Sequence, residues 1–128
     1  MIRLLLDTNV FIKILEGSLP VKVERRVFKP GAELLLSIIS PWEIAIKRTL
    51  HKAGLTAHLV QARIAELGLQ ILPVRLEHTA RVYSLPLHHS EPFDRMIIAQ
   101  ALVEDCPLVS SDQRFPLYSS TGLKVLWD

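Results

Sequence analysis

The feature that most constrains the fold is a series of short apolar runs separated by segments with helical signals. Residues 2–6 are apolar apart from Arg3, and further candidate strands cover residues 34–39, 69–74 and 108–110. A strand that is apolar on both faces is typical of a parallel sheet covered by helices on two sides. The pattern therefore predicts an α/β protein of three layers with a mainly parallel central sheet.

The first part of the chain carries two helix predictions. Thr8 and Asn9 can cap a short helix that closes at Gly17, because side-chain oxygens accept from free backbone N–H groups at a helix start and glycine tolerates a left-handed end. Residues 21–29 predict a second helix, with Phe28 among the residues facing inward. Nothing in that second helix suggests chemistry.

The later helices are predicted from periodicity and from proline. Residues 44–67 are helical in two pieces, and residues 76–85 form another helix. Ser90 and Pro92 begin the last helix, since proline is favoured in a first turn. The 128 residues suit one domain covering residues 1–128, which at this length can bury a sizeable core.

Composition excludes some classes and permits others. A net charge of +2 allows a polyanionic partner without requiring one, because phosphate binding depends on local clusters of charge. Cys106 is the one cysteine, so no internal disulfide forms, which fits a reducing cytoplasm. No stretch approaches the length of about 18 apolar residues that a membrane span needs. We expect a cytoplasmic protein without a signal peptide or a membrane anchor.

Acidic residues occur where the predicted strands end. Asp7, Glu43 and Asp112 each follow an apolar run, and Asp94 lies in the first turn of the helix that leads into residues 108–110. Right-handed crossovers bring the carboxyl ends of parallel strands to one edge of a sheet, where ligands bind. Helical spacing also turns Asp94 toward the packed side of its helix. We therefore expect these four carboxylates to converge.

Each acid taken alone also has a structural explanation. Asp94 can complement the helix dipole, and Asp7 can be a turn or capping carboxylate. Glu43 stands three residues after Ser40 with Pro41 between them, which is the signature of a capping box. All of these explanations must hold together to remove the cluster, so the shared site is favoured.

Four converging carboxylates predict a cation. Two unit charges about 4 Å apart repel by roughly 4 kcal/mol at an effective dielectric near 20, so such a cluster requires neutralisation. Ligands that are all oxygen favour Mg²⁺, with Mn²⁺ as the alternative. Such an ion can polarise a phosphoryl oxygen and activate water for phosphodiester cleavage. Thr8, Asn9 and Ser110 would orient the acids by hydrogen bonds.

Histidines and basic residues complete the candidate set. His88 and His89 are adjacent and do not form the i, i+4 pair that binds zinc on a helix. The densest basic patch covers residues 47–52, and from it Lys47 and Arg48 are candidates for contacts with a nucleic-acid backbone. Arg95 and Arg114 are further candidates. A solvated helix surface explains the patch equally well.

Four motifs together resemble those of PIN domains, and within that group the VapC-type toxins of prokaryotic toxin–antitoxin pairs. They are Leu-Asp-Thr-Asn at 6–9, Ser-Pro-Trp-Glu-Ile at 40–44, Pro-Phe-Asp-Arg-Met-Ile-Ile-Ala-Gln-Ala at 92–101 and Leu-Val-Ser-Ser-Asp at 108–112. The third is the most specific, and the motifs span nearly the whole chain.

The resemblance implies a Mg²⁺-dependent endoribonuclease toxin with Asp7, Glu43, Asp94 and Asp112 as its acidic quartet. Asp7 and Asp94 would be direct metal ligands. It further implies a homodimer and inhibition by a cognate antitoxin. Glu91 stands where many relatives carry Asp, a change that keeps the charge and bears on loop geometry and helix capping.

Other functions remain open on the residues alone. The same four acids and Mg²⁺ would serve a structure-specific DNA nuclease, and a non-catalytic RNA-binding scaffold could keep the fold. A response-regulator receiver also binds Mg²⁺ at strand ends, but it needs a lysine at the end of a late strand. Lys124 lies inside the predicted closing strand, residues 123–127, which disfavours that class.

Overall fold

A computed structural model describes residues 2–47 and 55–127 of the chain. Strands and helices alternate along it: β1 Ile2–Leu6, α1 Thr8–Glu16, α2 Val21–Val27, β2 Ala32–Ser37, α3 Ile39–Ile46, α4 Ala57–Glu66, β3 Gln70–Leu72, α5 Leu76–Tyr83, α6 Pro92–Glu104, β4 Leu108–Val109, a 3-10 helix Phe115–Thr121 and β5 Val125–Leu126. Among the described helices, none is long and apolar enough to cross a membrane.

The five described strands form one sheet in the order β3-β2-β1-β4-β5. Every neighbouring pair is parallel, so the predicted α/β class is confirmed and the sheet is entirely parallel in these ranges. Leu6 pairs with Leu36 of β2 and with Val109 of β4. Three strands therefore end at the same level, and the residues that follow them come close together.

The pleat of the sheet divides its side chains between two cores. Leu4 and Leu6 of β1 belong to one core, which includes Phe11 of α1 and Val60 of α4. Leu5 belongs to the other, together with residues of β4, α6 and the 3-10 helix: Leu108, Ile97, Ile98, Phe115 and Tyr118. Successive residues of a strand point to opposite faces, so a strand apolar on both sides is buried between two layers of helices.

The second strand and the helix after it are shifted from their predicted positions. β2 ends at Ser37, and α3 begins at Ile39 rather than after Ser40. The hydroxyl oxygen of Ser37 accepts the backbone N–H of Ile39 at 3.1 Å, which satisfies one free donor at the helix start. Pro41 lies in the first turn of α3, where it interrupts no backbone hydrogen bond.

Two other local predictions are wrong. Phe28 lies just beyond the end of α2 and is 40% exposed, so it does not face inward as expected, whereas Val23 and Val27 are fully buried. Of the two predicted start signals of the last helix, Pro92 is confirmed as the first residue of α6, but the cap is Glu91 and not Ser90. Glu91 accepts the backbone N–H groups of Phe93 at 2.8 Å and Asp94 at 3.2 Å.

The two phenylalanines of the first sixty residues make a direct test of the core. Phe11 is fully buried between α1 and the sheet, and its replacement by alanine should lower the free energy of unfolding by about 3 to 5 kcal/mol. The matched change Phe28→Ala should cost less than about 1 kcal/mol, as expected for an exposed side chain. Urea unfolding followed by circular dichroism measures both, and equal losses would contradict the core described above.

Candidate metal centre

Asp7 follows β1 at the level where three strands end. Its Oδ1 accepts the backbone N–H of Asn9 at 3.2 Å, so Asp7 itself caps α1, and not Thr8 or Asn9 as predicted. Its Oδ2 accepts the hydroxyl of Ser110 at 2.6 Å. Burial raises the pKa of Asp7 to about 6 despite these hydrogen bonds, and the charges of Asp112 and Glu43 add to the rise.

Ser110 connects Asp7 to Asp112. Its hydroxyl donates to Asp7, and its oxygen accepts the backbone N–H of Asp112 at 3.0 Å. The Asp112 carboxylate is held by Arg114, whose Nε lies 3.1 Å from Oδ1 and whose Nη2 lies 2.9 Å from Oδ2. These bonds from Arg114 hold the pKa of Asp112 below its ordinary value, so this acid stays ionised.

Asp94 has the most strongly perturbed carboxyl group. It lies in the first turn of α6 with its side chain 15% exposed, as the helical spacing predicted. Burial, and after it the negative charges of Asp7, Glu91, Glu43 and Asp112, together raise its pKa from 3.8 to about 8. Without a cation, Asp94 therefore keeps its proton at neutral pH.

Glu43 points into the same site from α3. The residue is 8% exposed, and its Oε2 accepts Lys47 Nζ at 2.9 Å. The capping-box interpretation is wrong because Ser40 lies within the helix and its hydroxyl contacts Thr8 Oγ1 at 2.8 Å. Within the described residues, Glu43 Oε1 is buried without a hydrogen-bond partner, an arrangement that is costly unless a cation or water satisfies the oxygen.

The geometry fits a hard divalent cation. Glu43, Glu91 and Asp94 each place a ligand atom within 4.8 Å of the other two, and the same holds for His89, Asp94 and Asp112. Asp94 belongs to both groups. Carboxylate oxygens are the preferred ligands of Mg²⁺ and Mn²⁺, and the unpartnered oxygen of Glu43 supplies a free lone pair. Of the predicted acids, Glu43, Asp94 and Asp112 belong to these groups together with Glu91, whereas Asp7 belongs to neither and is linked to Asp112 through Ser110.

A cavity of about 190 Å³ opens over these groups. Its lining includes Thr8, Asn9, Glu43, Lys47, Glu91, Asp94 and Arg114. Lys47 and Arg114 are the cations at this opening, each bonded to an acid of the site. Thr8 is buried against Ser40, and Asn9 is exposed at the opening. A negatively charged ligand would therefore meet two cations on its way to the carboxylates.

Arg95, the other described candidate for contact with a nucleic acid, does not line this cavity. Arg95 is partly buried, and its guanidinium donates to the backbone oxygens of Pro86 at 3.1 Å, His89 at 3.2 Å, and Val82 and Leu85 at 3.4 Å each. It thus organises the loop before α6 and is not free to bind a phosphate backbone as predicted. Arg48 and the rest of the patch, His51 and Lys52, lie outside the described residues.

His89 is the site residue that the sequence did not indicate. Its Nε2 lies 2.7 Å from Asp94 Oδ2 and 3.8 Å from Asp112 Oδ2, and its side chain is 2% exposed. Burial lowers its pKa, and the positive charge of Arg114 lowers it further, against the opposing charges of Asp112 and Glu91. Two adjacent histidines in a loop carry no pattern that distinguishes the buried one, so sequence spacing alone could not find it.

The structure is that of an α/β protein with a cluster of carboxylates, able to hold a metal ion, at the ends of its parallel strands. The chain belongs to the PIN domain family, whose model matches residues 4–119. This confirms the family resemblance seen in the motifs. No curated protein matches the chain in sequence.

Solved structures with the same fold include toxin–antitoxin complexes. A chain of VapBC2 from Rickettsia felis, solved bound to a DNA fragment from its promoter, is 15% identical with a TM-score of 0.75, covering 98% of each chain. A chain of DNA-bound VapBC from Salmonella typhimurium is 16% identical with a TM-score of 0.75, covering 99% of this chain and 98% of that one. VapBC-1 from nontypeable Haemophilus influenzae gives 17% identity, a TM-score of 0.71, and 98% and 97% coverage.

The raised pKa of Asp94 predicts how the metal-free protein responds to pH. An acid whose pKa is higher in the folded state stabilises the fold at low pH, and this stability is lost as pH rises from about 4 to about 8. Asp94→Asn should remove that loss and raise the melting temperature in EDTA near pH 8. Thermal unfolding across this pH range, compared between the two proteins, measures it.

Asp112→Asn serves as the matched control. Because Arg114 lowers the pKa of Asp112, its ionised form stabilises the fold, and the amide should lower the melting temperature at neutral pH. A clear fall in melting temperature for Asp94→Asn as well would show that Asp94 has a structural role in the first turn of α6, where an acid complements the helix dipole.

Proposed function

We propose that this chain is a Mg²⁺-dependent endoribonuclease, a VapC-type toxin that cleaves RNA phosphodiester bonds and is inhibited by a cognate antitoxin. Asp7, Glu43, Asp94 and Asp112 form its metal site, with Mn²⁺ as an alternative ion. The protein acts in the cytoplasm as a single domain over residues 1–128 and as a homodimer. Membership of the PIN family supports the nuclease class.

The proposal depends on one observation above all, which is the excess of negative charge around Asp94. A carboxyl group with a pKa near 8 and a neighbouring acid with an unpartnered buried oxygen form a site that is incomplete without positive charge. Structural capping explains one acid at a time and leaves that excess unexplained. A divalent cation neutralises it and at the same time supplies a Lewis acid and a water of lowered pKa.

The residues of the chain divide the work around that ion. Asp94 and Asp7 would hold it directly, and Glu43 and Asp112 would complete the shell or bind its waters. Ser110 fixes the orientation of Asp7 by its donated hydrogen bond, which prepares the ligand geometry before the ion arrives. Lys47 and Arg114 would contact the phosphates on either side of the cleaved bond. No serine or histidine nucleophile would be needed, because the ion would supply an activated water.

An exposed apolar stripe on α3 supports the proposed protein partners. Ile38, Trp42 and Ile46 recur at intervals of four residues and are 43%, 55% and 51% exposed, so they lie on one side of the helix. Trp42 also packs edge-on against Phe93, with ring centroids 5.2 Å apart, which places the stripe beside the metal site. Contiguous exposed apolar surface is typical of protein interfaces.

The test is cleavage of RNA by the purified protein. Labelled single-stranded RNA should be cut with Mg²⁺ and left intact in EDTA, while single- and double-stranded DNA of the same sequence should remain uncut. Asp94→Asn should slow cleavage by more than about a hundredfold, since even the loss of an outer partner of a metal ligand costs ten- to a hundredfold.

The control variant is Glu16→Gln, an acid-to-amide change at the exposed end of α1, which should cleave RNA at the rate of the parent protein. Full activity of Asp94→Asn would remove Asp94 from the mechanism. Metal-dependent cutting of DNA in place of RNA would assign the site to the DNA nuclease class.

A further inference from the structure

His89 is held in place by contacts that lie outside the carboxylate cluster. Arg95 Nη1 donates to the carbonyl oxygen of His89 at 3.2 Å and contacts the Tyr118 hydroxyl at 3.4 Å. The same hydroxyl accepts the backbone N–H of His88 at 3.2 Å. Arg95 and Tyr118 therefore hold the loop before α6, and the imidazole of His89 points toward Asp94.

The surroundings of the ring decide which nitrogen carries the proton. The backbone N–H of Glu91 is directed at Nδ1 at 3.5 Å, so Nδ1 is the acceptor. Two carboxylate oxygens face Nε2, the nearer being Asp94 Oδ2 at 2.7 Å. In a neutral imidazole one nitrogen donates and the other accepts, and the partner of one fixes the role of the other. Nε2 therefore carries the hydrogen and donates it to Asp94 Oδ2, so the proton that Asp94 keeps in the absence of a cation lies on Oδ1.

We propose that His89 is a positioning residue of the metal site, holding Asp94 Oδ2 through the hydrogen bond from Nε2 so that Oδ1 is left for the cation. This rests on the proposed function only in that a divalent cation binds here. A carboxylate among several like charges gains by turning away from them, and the bond from His89 opposes that rotation. Because Nδ1 accepts from the backbone of Glu91, the ring carries one hydrogen and adds no positive charge that would compete with the ion.

A direct ligand role for His89 conflicts with this geometry. A metal on Nε2 would require the proton to move to Nδ1, where it would face the backbone N–H of Glu91 and put two donors together. His89 thus acts through Asp94 and does not coordinate the ion. Outer hydrogen-bond partners of this kind tune metal affinity by orienting the ligand.

The neighbouring histidine provides a matched control. His88 is exposed, and its ring packs edge-on against Tyr118 with centroids 5.1 Å apart. Its backbone N–H, and not its ring, supports the loop. His88→Gln therefore makes the same chemical change one residue away without touching the hydrogen bond to Asp94.

The test compares Mn²⁺ binding by calorimetry in the parent protein and in the variants His89→Ala, His89→Gln, His89→Asn and His88→Gln. His89→Ala should weaken Mn²⁺ binding by about ten- to a hundredfold. Glutamine places an amide N–H near the position of Nε2 and should restore most of the affinity. Asparagine reaches only as far as Nδ1 and should not. His88→Gln should bind as the parent does.

Spectroscopy gives a second readout that a purely structural role would not produce. The ¹⁵N shifts of the His89 ring should show a hydrogen on Nε2 both without metal and with Mg²⁺ added. Parent-like Mn²⁺ affinity in folded His89→Ala would overturn the proposal. The proposal would also be overturned if His89→Gln bound Mn²⁺ no more tightly than His89→Asn, or if the Nε2 hydrogen were lost when Mg²⁺ binds. If His89→Ala does not fold, the glutamine and asparagine variants decide.

Cleavage assays separate this inference from the proposed function. Because His89 positions a ligand and does not react, His89→Ala should regain most of its RNA cleavage rate at high Mg²⁺. A parent protein that binds Mn²⁺ through His89 and Asp94 but cuts no RNA would contradict the nuclease proposal and leave the inference standing. If the parent protein cleaves RNA but His89→Ala binds Mn²⁺ with unchanged affinity, the nuclease proposal stands and the inference about His89 fails.

Discussion

The parallel pairing of β1 with both of its neighbours is the constraint on which the site depends. Leu6 is in register with Leu36 and Val109, so the chain leaves three strands at one level and turns there. Asp7 and the residues after β4 are consequently neighbours although more than a hundred positions separate them in sequence. A register shift would also exchange the two cores, because each strand alternates between them. Packing on both faces thus fixes the geometry of the acids.

The same packing sustains an arrangement that electrostatics opposes. Asp7 and Asp94 are both acids whose pKa is raised by burial and by their neighbours, so each destabilises the metal-free fold when ionised. The apolar layers on the two faces of the sheet offset that cost. The acids lower the stability of the metal-free fold, and in return they form a pocket that can bind positive charge. Binding sites are often less stable than the structure that supports them.

Local sequence signals predicted the sheet, its burial and the orientation of Asp94, because these depend on periodicity and strand length. They failed where distant contacts decide. The residues of a capping box are present at Ser40 and Glu43, yet α3 starts earlier, at Ile39, and the Ser40 hydroxyl contacts Thr8 instead. The helix caps depend on local bonds: Glu91 caps α6 in place of Ser90, and Asp7 caps α1, which agrees with its interpretation as a capping carboxylate. The burial of His89 depends on Arg95 and Tyr118, which no local pattern reveals.

The four carbonyl groups gathered by Arg95 have a consequence for the interpretation of mutagenesis. When an arginine within a nuclease motif is replaced and activity is lost, the usual conclusion is that the variant no longer binds the nucleic-acid backbone. Here truncation would remove the hydrogen bonds that hold the partly buried carbonyl groups of the segment before α6, so inactivity would arise from the loss of local structure. Alanine scanning of this motif therefore tests the structure of the loop at Arg95 and the chemistry of the site at Asp94. The losses of activity at these two positions have different causes and cannot be compared directly.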